Sequence, residues 1–83
     1  MKVRVRYFAS VREALGPGET IEVEPGATVG TVRSALIDRD AAHAAALHRG
    51  RAVRSALDQV LCDEDAAVTE GAEIGFFPPV TGG

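Results

Sequence analysis

The sequence predicts one α+β domain, in which a mixed β-sheet packs against one main crossover helix. Apolar and polar residues alternate near both ends of the chain, which is typical of half-buried strands. Between them, residues 29–39 place apolar side chains at helical spacing. A chain of 83 residues supplies the hydrophobic core of a single small domain.

The first strand is predicted over residues 2–8, where alternation separates two faces. Val3, Val5 and Tyr7 form the inward face, and the outward face holds Lys2, Arg4, Arg6 and Phe8. Ser10 and Glu13 have the spacing of a capping box, which predicts a short helix beginning at Ser10. Gly16-Pro17-Gly18 is expected to end this helix.

Residues 19–24 alternate again and predict a second strand with Ile21 and Val23 inward, followed by a turn at Pro25-Gly26. Thr28 is the expected N-cap of the helix over residues 29–39. Gly30 weakens the first turn of that helix, since glycine costs up to about 1 kcal/mol relative to alanine. The alanine-rich residues 41–47 predict a further short helix.

Three short strands follow in the C-terminal half. Residues 53–57 and 60–62 flank a turn at Asp58-Gln59, and residues 73–77 form the last strand before Pro78-Pro79. A right-handed crossover places this last strand beside the first. The resulting order is compatible with a ubiquitin-like β-grasp, although periodicity alone leaves several small α+β folds open.

Composition excludes several functional classes. The net charge of −3 argues against a protein that neutralises nucleic-acid phosphates. Cys62 is the single cysteine, which excludes an internal disulfide and a multi-cysteine zinc site. No apolar stretch approaches the roughly 20 residues that span a membrane. The N-terminus alternates charge with valine, unlike a signal peptide, so a cytoplasmic protein is expected.

The chain is expected to divide into a domain of residues 1–79 and a flexible tail of residues 80–83. Gly82 and Gly83 have no side chains, so a two-glycine tip fits a narrow channel. The carboxylate of Gly83 is unshielded, and it needs activation because a free carboxylate is a poor electrophile.

Residues 76–83, Phe-Phe-Pro-Pro-Val-Thr-Gly-Gly, resemble the C-terminal signature of the small, sulfur-carrier subunits of molybdopterin synthase, the MoaD family. Residues 7–13, Tyr-Phe-Ala-Ser-Val-Arg-Glu, resemble the N-terminal strand and short helix of that family. Asp58-Gln59 stands where the family usually has an Asn-Gln turn, a mild departure. The resemblance covers the whole chain and implies a ubiquitin-like β-grasp.

The resemblance also implies a reaction cycle. A MoeB-like adenylyltransferase consumes ATP to adenylate the carboxylate of Gly83, and a persulfide donor converts it into a thiocarboxylate (1-thioglycine). The tail, with Val80, Thr81 and Gly82 in a channel, then enters a MoaE-like large subunit, with two copies of each subunit expected. There the sulfur is transferred to cyclic pyranopterin monophosphate to build the dithiolene. In this scheme the chain is a non-catalytic co-substrate and binds no cofactor or metal.

A docking surface is predicted from the strands themselves. Ile74 and Phe76 point inward from the last strand while Phe77 points outward, so Phe8 and Phe77 should share one outer face and one edge. Neighbouring exposed aromatics are typical of partner-binding sites. With the residues that the resemblance adds, the predicted partner contacts are Phe8, Arg12, Leu61, Phe77 and Pro78.

The remaining reactive or charged residues receive simpler interpretations. Cys62 has no neighbouring base to lower its pKa, so ordinary packing is expected. His43 and His48 lie about 140° apart on a helix and cannot share a metal. A local basic cluster consists of Arg49, Arg51 and Arg54. We expect these side chains to face solvent, and their role stays open.

Three other functions stay open from the sequence. The chain could be a sulfur carrier for thiamin or cysteine synthesis, although such carriers usually lack the Phe-Phe-Pro-Pro segment. It could be a ubiquitin-like modifier, in which Gly83 forms isopeptide bonds with lysines. It could also be a silent interaction domain, which would be indifferent to its last residue.

Overall fold

The computed structural model describes residues 1–79, and the predicted tail, Val80 to Gly83, lies outside the described residues. The strands are β1 (Lys2–Tyr7), β2 (Gly18–Glu22), β3 (Arg54–Leu57), β4 (Val60–Cys62) and β5 (Glu73–Phe77). The helices are α1 (Ala9–Leu15), α2 (Val29–Ile37) and α3 (Ala41–Leu47). Within residues 1–79, none of these helices has the length and apolar character needed to cross a bilayer.

The strands form one mixed sheet in the order β2-β1-β5-β3-β4. β1 and β5 are parallel neighbours, with Val5 opposite Ile74 and Tyr7 opposite Phe76, while the other pairs are antiparallel. The prediction that the last strand lies beside the first is therefore confirmed, and the arrangement is that of the predicted β-grasp.

The hydrophobic core lies between the helices and one face of this sheet. The alternation in β1 buries its inward residues almost completely, and β5 adds Ile74 and Phe76. The helices cover them with apolar residues that are fully buried: Val29, Val32, Leu36 and Leu47. Among residues 1–79, no helix covers the opposite face of the sheet, where Arg4, Arg6 and Phe8 are exposed.

Side-chain caps begin α2 and α3. Thr28 and Thr31 form a reciprocal capping box at α2, which confirms the predicted N-cap. The side chain of Asp40 accepts the backbone N–H of His43 at 2.8 Å and caps α3. Each cap satisfies backbone donors that the first helical turn leaves free.

The predicted capping box of Ser10 and Glu13 is wrong. α1 begins at Ala9, its N-cap is Phe8, and no side chain caps it. The reason is tertiary: the N–H of Phe8 donates to the carbonyl of Phe76, so the chain stays extended up to that residue. The Phe8 carbonyl then accepts the N–H groups of Val11 and Arg12, which makes Phe8 the N-cap, two residues before the predicted cap at Ser10.

The hairpin between β3 and β4 turns at Asp58-Gln59, as predicted. Both residues have positive φ, 48° and 70°, which is the pattern of a two-residue type I′ turn. The side chain of Asp58 accepts the N–H of Glu73 at 3.0 Å, and its own N–H donates to the Glu73 carbonyl at 2.8 Å. The turn is thereby tied to β5.

Candidate partner-binding face

The uncovered face of the sheet, termed the open face, brings together the predicted aromatic residues. In one cross-strand row, Arg6 of β1 lies beside Gly75 of β5, which lies beside Ala56 of β3, which faces Leu61 of β4. In the next row, Phe77 lies beside Arg54. Because side chains in paired positions share a face, these residues project from the same side of the sheet.

The ring of Phe8 lies against Gly75 on the open face. A Cβ atom built on Gly75 would lie 3.0 Å from Cε2 of Phe8, so the glycine leaves the space that the ring occupies. The guanidinium carbon of Arg6 lies 5.4 Å from the ring centroid, within the range of a cation–π contact. Phe8 thus contacts both neighbours and still exposes 38% of its surface.

Leu61 and Phe77 extend this apolar surface toward the end of the described chain. Leu61 exposes 63% of its surface, which favours a contact residue over a core residue. Together with Arg54 and Pro79, the two side chains line a groove of about 220 Å³. Phe8, Leu61 and Phe77 are termed the apolar strip. It ends at Pro78 and Pro79, both half-buried, directly before the predicted tail.

The remaining residues of the predicted site are Arg12 and the four residues of the tail. Arg12 is exposed on α1, a helix that contacts α3 and β5, and within residues 1–79 its side chain makes no hydrogen bond or ion pair. Its role as a partner contact stays a prediction. Val80, Thr81, Gly82 and Gly83 lie outside the described residues, so their roles also stay predictions.

The sequence of residues 5–83 matches the ThiS family. The chain belongs to this family. It is 40% identical to the molybdopterin synthase sulfur carrier subunit of Haemophilus influenzae over 82 residues, covering 98% of this chain and 99% of that protein. It is 37% identical to the subunit of the same name from Escherichia coli over 81 residues, with the same coverage. The resemblance seen in the two sequence motifs is thereby confirmed.

Solved structures agree with the fold of this ThiS-family chain. SAMP1 from Haloferax volcanii, a small archaeal modifier protein, superposes with a TM-score of 0.81 at 26% identity over 100% of both chains. A chain from the Helicobacter pylori complex of subunits 1 and 2 of molybdopterin-converting factor matches with a TM-score of 0.69 at 26% identity, also over 100% of both chains. The predicted ubiquitin-like β-grasp is confirmed.

Behind the sheet, Arg33 is a buried residue that sequence reasoning missed. It is 5% exposed, and its guanidinium donates to the carbonyls of Leu47 and His48 at 2.7 and 3.1 Å. It also pairs with Glu64 at 3.0 Å. The sequence did hold a signal of this buried role, because Arg33 stands in the middle of a helical apolar pattern. An arginine at such a position must find buried hydrogen-bond acceptors.

The three arginines that form a basic cluster in the sequence separate in the structure. Arg49 donates to Glu64 at 2.7 Å and to the Gly30 carbonyl at 3.1 Å. Arg51 has an exposed side chain, whereas Arg54 lines the groove beside the apolar strip. The hydrogen bonds from Arg49 lower the pKa of Glu64 below its usual value. The cluster is therefore not one anion site.

A second polar network surrounds His43. Its two ring nitrogens lie 2.7 Å from Oε2 of Glu19 and 2.8 Å from Oδ1 of Asp40. The buried hydroxyl of Tyr7 donates to the same Glu19 oxygen at 2.6 Å, and Arg39 pairs with the other oxygen. Burial opposes protonation of His43, but the two carboxylates outweigh it and raise the pKa of the imidazole.

These titratable groups do not form a metal site or a thiol centre. The carboxylates approach opposite nitrogens of His43, and no cluster able to hold a metal is present in the part of the chain described. Cys62 is half-buried against the core, and its thiol lies 3.8 Å from the hydroxyl of Ser55. This is the packing role that the sequence predicts.

Proposed function

We propose that this chain is the sulfur carrier subunit of a molybdopterin synthase, with the carboxylate of Gly83 as the sulfur-bearing group. The full-length 40% identity with the Haemophilus influenzae sulfur carrier subunit is the main support. The apolar strip adds a second support, since it lies immediately before the two prolines that precede Val80 to Gly83.

The proposed chemistry begins with activation. The Gly83 carboxylate attacks the α-phosphorus of ATP on a MoeB-like adenylyltransferase, releasing pyrophosphate and forming an acyl-adenylate. A persulfide sulfur displaces AMP, and a thiol cleaves the resulting acyl disulfide to leave the thiocarboxylate. Glycine suits this position because no Cβ obstructs the acyl carbon. We place these steps in the cytoplasm, where ATP and thiols are available.

The large synthase subunit is the proposed recipient of the sulfur. The Helicobacter pylori structure contains a complex of subunits 1 and 2 of molybdopterin-converting factor, which supports a two-subunit assembly. In this proposal the strip docks on a MoaE-like subunit, and that subunit supplies the catalytic side chains. The thiocarboxylate sulfur attacks a carbon of cyclic pyranopterin monophosphate and displaces an oxygen substituent. Water then hydrolyses the resulting thioester, which leaves the sulfur on the pterin and restores the Gly83 carboxylate. Two loaded carriers supply the two dithiolene sulfurs, and we expect two copies of each subunit in the assembly.

Protein modification is the second candidate function. The TM-score of 0.81 with the Haloferax volcanii modifier protein favours it over a silent interaction domain. Both functions need the same activated glycine, but a modifier also forms isopeptide bonds with lysines of other proteins. A denaturing gel of cells that express the tagged chain separates the two, because only a modifier gives conjugates of higher mass.

Intact-mass spectrometry tests the sulfur-carrier function. Incubation with an adenylyltransferase, ATP and a persulfide donor should exchange one oxygen for sulfur at Gly83. The matched control Cys62→Ser should give the same exchange. A modification that maps to Cys62 would overturn the mechanism.

The length of the tail provides a second test. Deleting Gly83, or adding an alanine after it, should abolish sulfur transfer without changing the fold. One residue displaces the acyl carbon by about 3.3–3.6 Å, and a misplacement of about 1 Å already costs on the order of 100-fold in rate. Full molybdopterin synthesis by the extended chain would contradict the proposal.

A further inference from the structure

The charges on the open face differ from those of the whole chain. The net charge is −3, yet the side chains around the apolar strip include Arg6 and Arg54. Among residues 1–79, neither of these guanidiniums has a carboxylate within ion-pair distance. Arg4, lower on β1, differs because it faces Glu73 at 3.8 Å.

Arg6 stands beside an open recess. Its two cross-strand neighbours are Gly18 and Gly75, neither of which has a side chain. The recess of about 320 Å³ on the Gly18 side is lined in part by Arg4 and Arg6. Glu19 also borders it, but the carboxylate of Glu19 is already engaged by Tyr7, His43 and Arg39.

Arg54 lies within the strip, on β3 between the strands that carry Phe77 and Leu61. It is exposed, lies beside Phe77 in the sheet, and forms part of the groove with Leu61. Asp63 borders a neighbouring recess together with Arg54 but does not reach ion-pair distance. Two strand spacings across the sheet and two residues along it separate the backbones at Arg6 and Arg54, which therefore lie about 12 Å apart.

An apolar strip with one arginine at its β1 end and a second between Phe77 and Leu61, neither paired with a carboxylate among residues 1–79, fits a partner surface of opposite charge. We propose that the large synthase subunit presents carboxylate side chains to Arg6 and Arg54 where it covers the apolar strip. The acidic remainder of this chain repels such a surface, so the two arginines favour approach by the open face. This inference rests on the proposed function, because it names the chemistry of the partner that the proposed function requires.

The kinetics of association with the large subunit from the same organism provide the test, measured by stopped-flow at low and high salt. For the wild-type chain, the association rate should fall as salt rises. Arg6→Gln and Arg54→Gln should each slow association roughly two- to fivefold at low salt and reduce the salt dependence. Arg6→Lys should keep most of the rate, since it keeps the charge and loses only the planar stacking on Phe8.

Lys2→Gln is the matched control. It removes the same charge from the same face, about 13 Å along β1 from Arg6, and should leave the association rate near that of the wild type. If Lys2→Gln slows association as much as Arg54→Gln does, the association rate depends on the total charge of the chain and not on the positions of the two arginines. The inference is then wrong. Association that is independent of salt and of both arginines would also overturn it, while leaving the proposed function intact.

Carbodiimide cross-linking gives a second, structural readout. In Arg54→Lys and Arg6→Lys, the new amines should form amide cross-links to Asp or Glu residues of the large subunit, identified by mass spectrometry of the complex. If the complex forms without such cross-links, the inference is wrong but the proposed function is unaffected. A wild-type chain that does not bind the large subunit overturns the proposed function, and the inference with it.

Discussion

The two faces of the sheet are built from the same strands but serve different purposes. On the helix side, Tyr7 and Phe76 are fully buried against α2 and α3. On the open face, their immediate neighbours Phe8 and Phe77 retain contact with solvent. The strand pleat separates each pair, because successive residues point to opposite sides. Residue type alone therefore does not decide whether an aromatic stabilises the fold or forms a contact surface.

Polar residues show the same difference. Arg33 on the helix side is buried and its donors are satisfied by carbonyls and by Glu64. Arg54 on the open face is exposed and has no ion pair within residues 1–79. Among those residues, no buried side-chain nitrogen or oxygen lacks a hydrogen-bond partner. Unused hydrogen-bonding capacity is thus found at the solvent-facing side, where a partner can bind.

Phe76→Ala and Phe77→Ala test the comparison most strongly. Phe76→Ala should lower the free energy of unfolding by roughly 3–5 kcal/mol, because it leaves a cavity in the core. Phe77→Ala should lower it much less and instead weaken binding to the large subunit by more than about 1 kcal/mol. Chemical denaturation and calorimetry of binding measure the two effects. Equal losses of stability would show that the two faces are not distinct.

Arg33→Met and Arg54→Met apply one substitution to both faces. The first should cost roughly 2–4 kcal/mol of stability, since it leaves the carbonyls of Leu47 and His48 without a buried donor. The second removes an exposed side chain and should change stability by less than about 0.5 kcal/mol. Urea denaturation of both variants provides the measurement, and the comparison fails if their midpoints shift equally.

His43 should make the stability of the helix side depend on pH. Its pKa is raised by Glu19 and Asp40, so its protonation stabilises the fold fully below the unfolded pKa of about 6.5. That stabilisation is lost as pH rises through the higher folded pKa. Glu19 does not titrate in the same pH range as His43. Burial raises the pKa of Glu19, but hydrogen bonds from Tyr7 and His43 outweigh burial and lower that pKa below its usual value.

His43→Gln should therefore lower the free energy of unfolding by about 1 kcal/mol near pH 5.5 and by less near pH 9. His48→Gln is the control, since the His48 side chain is exposed and, within residues 1–79, its ring accepts only the N–H of Gly50. Denaturation curves across this pH range should separate the two variants. A loss in His43→Gln that does not change with pH would contradict the charge-based account.

Leu61→Ala should give the smallest change in stability. Its side chain is 63% exposed on the edge strand β4, so stability should change by less than about 0.5 kcal/mol. Binding to the large subunit should nevertheless weaken by about 1 kcal/mol or more if the apolar strip is the docking surface. Unchanged binding would remove Leu61 from the strip.

Much of the fold is predictable from short-range patterns. Alternation in β1 and β5 separates core from open face, and positive φ at Asp58-Gln59 follows from a tight hairpin. The site is predictable only in part. Phe8 and Phe77 follow from the same alternation, which also puts Arg6 on the face of Phe8, whereas Arg54 could not be placed beside them without the strand order β1-β5-β3.

Local sequence determined which residues alternate, which segments become helices and which aromatics face outward, because these depend on neighbours only a few residues away. Tertiary structure alone decided the rest. A backbone hydrogen bond to Phe76 moved the start of α1 away from Ser10, and Gly30, which weakens α2 locally, provides the space against which Glu64 packs. Such contacts join residues far apart in sequence, so their energies appear only when the sheet and helices are assembled.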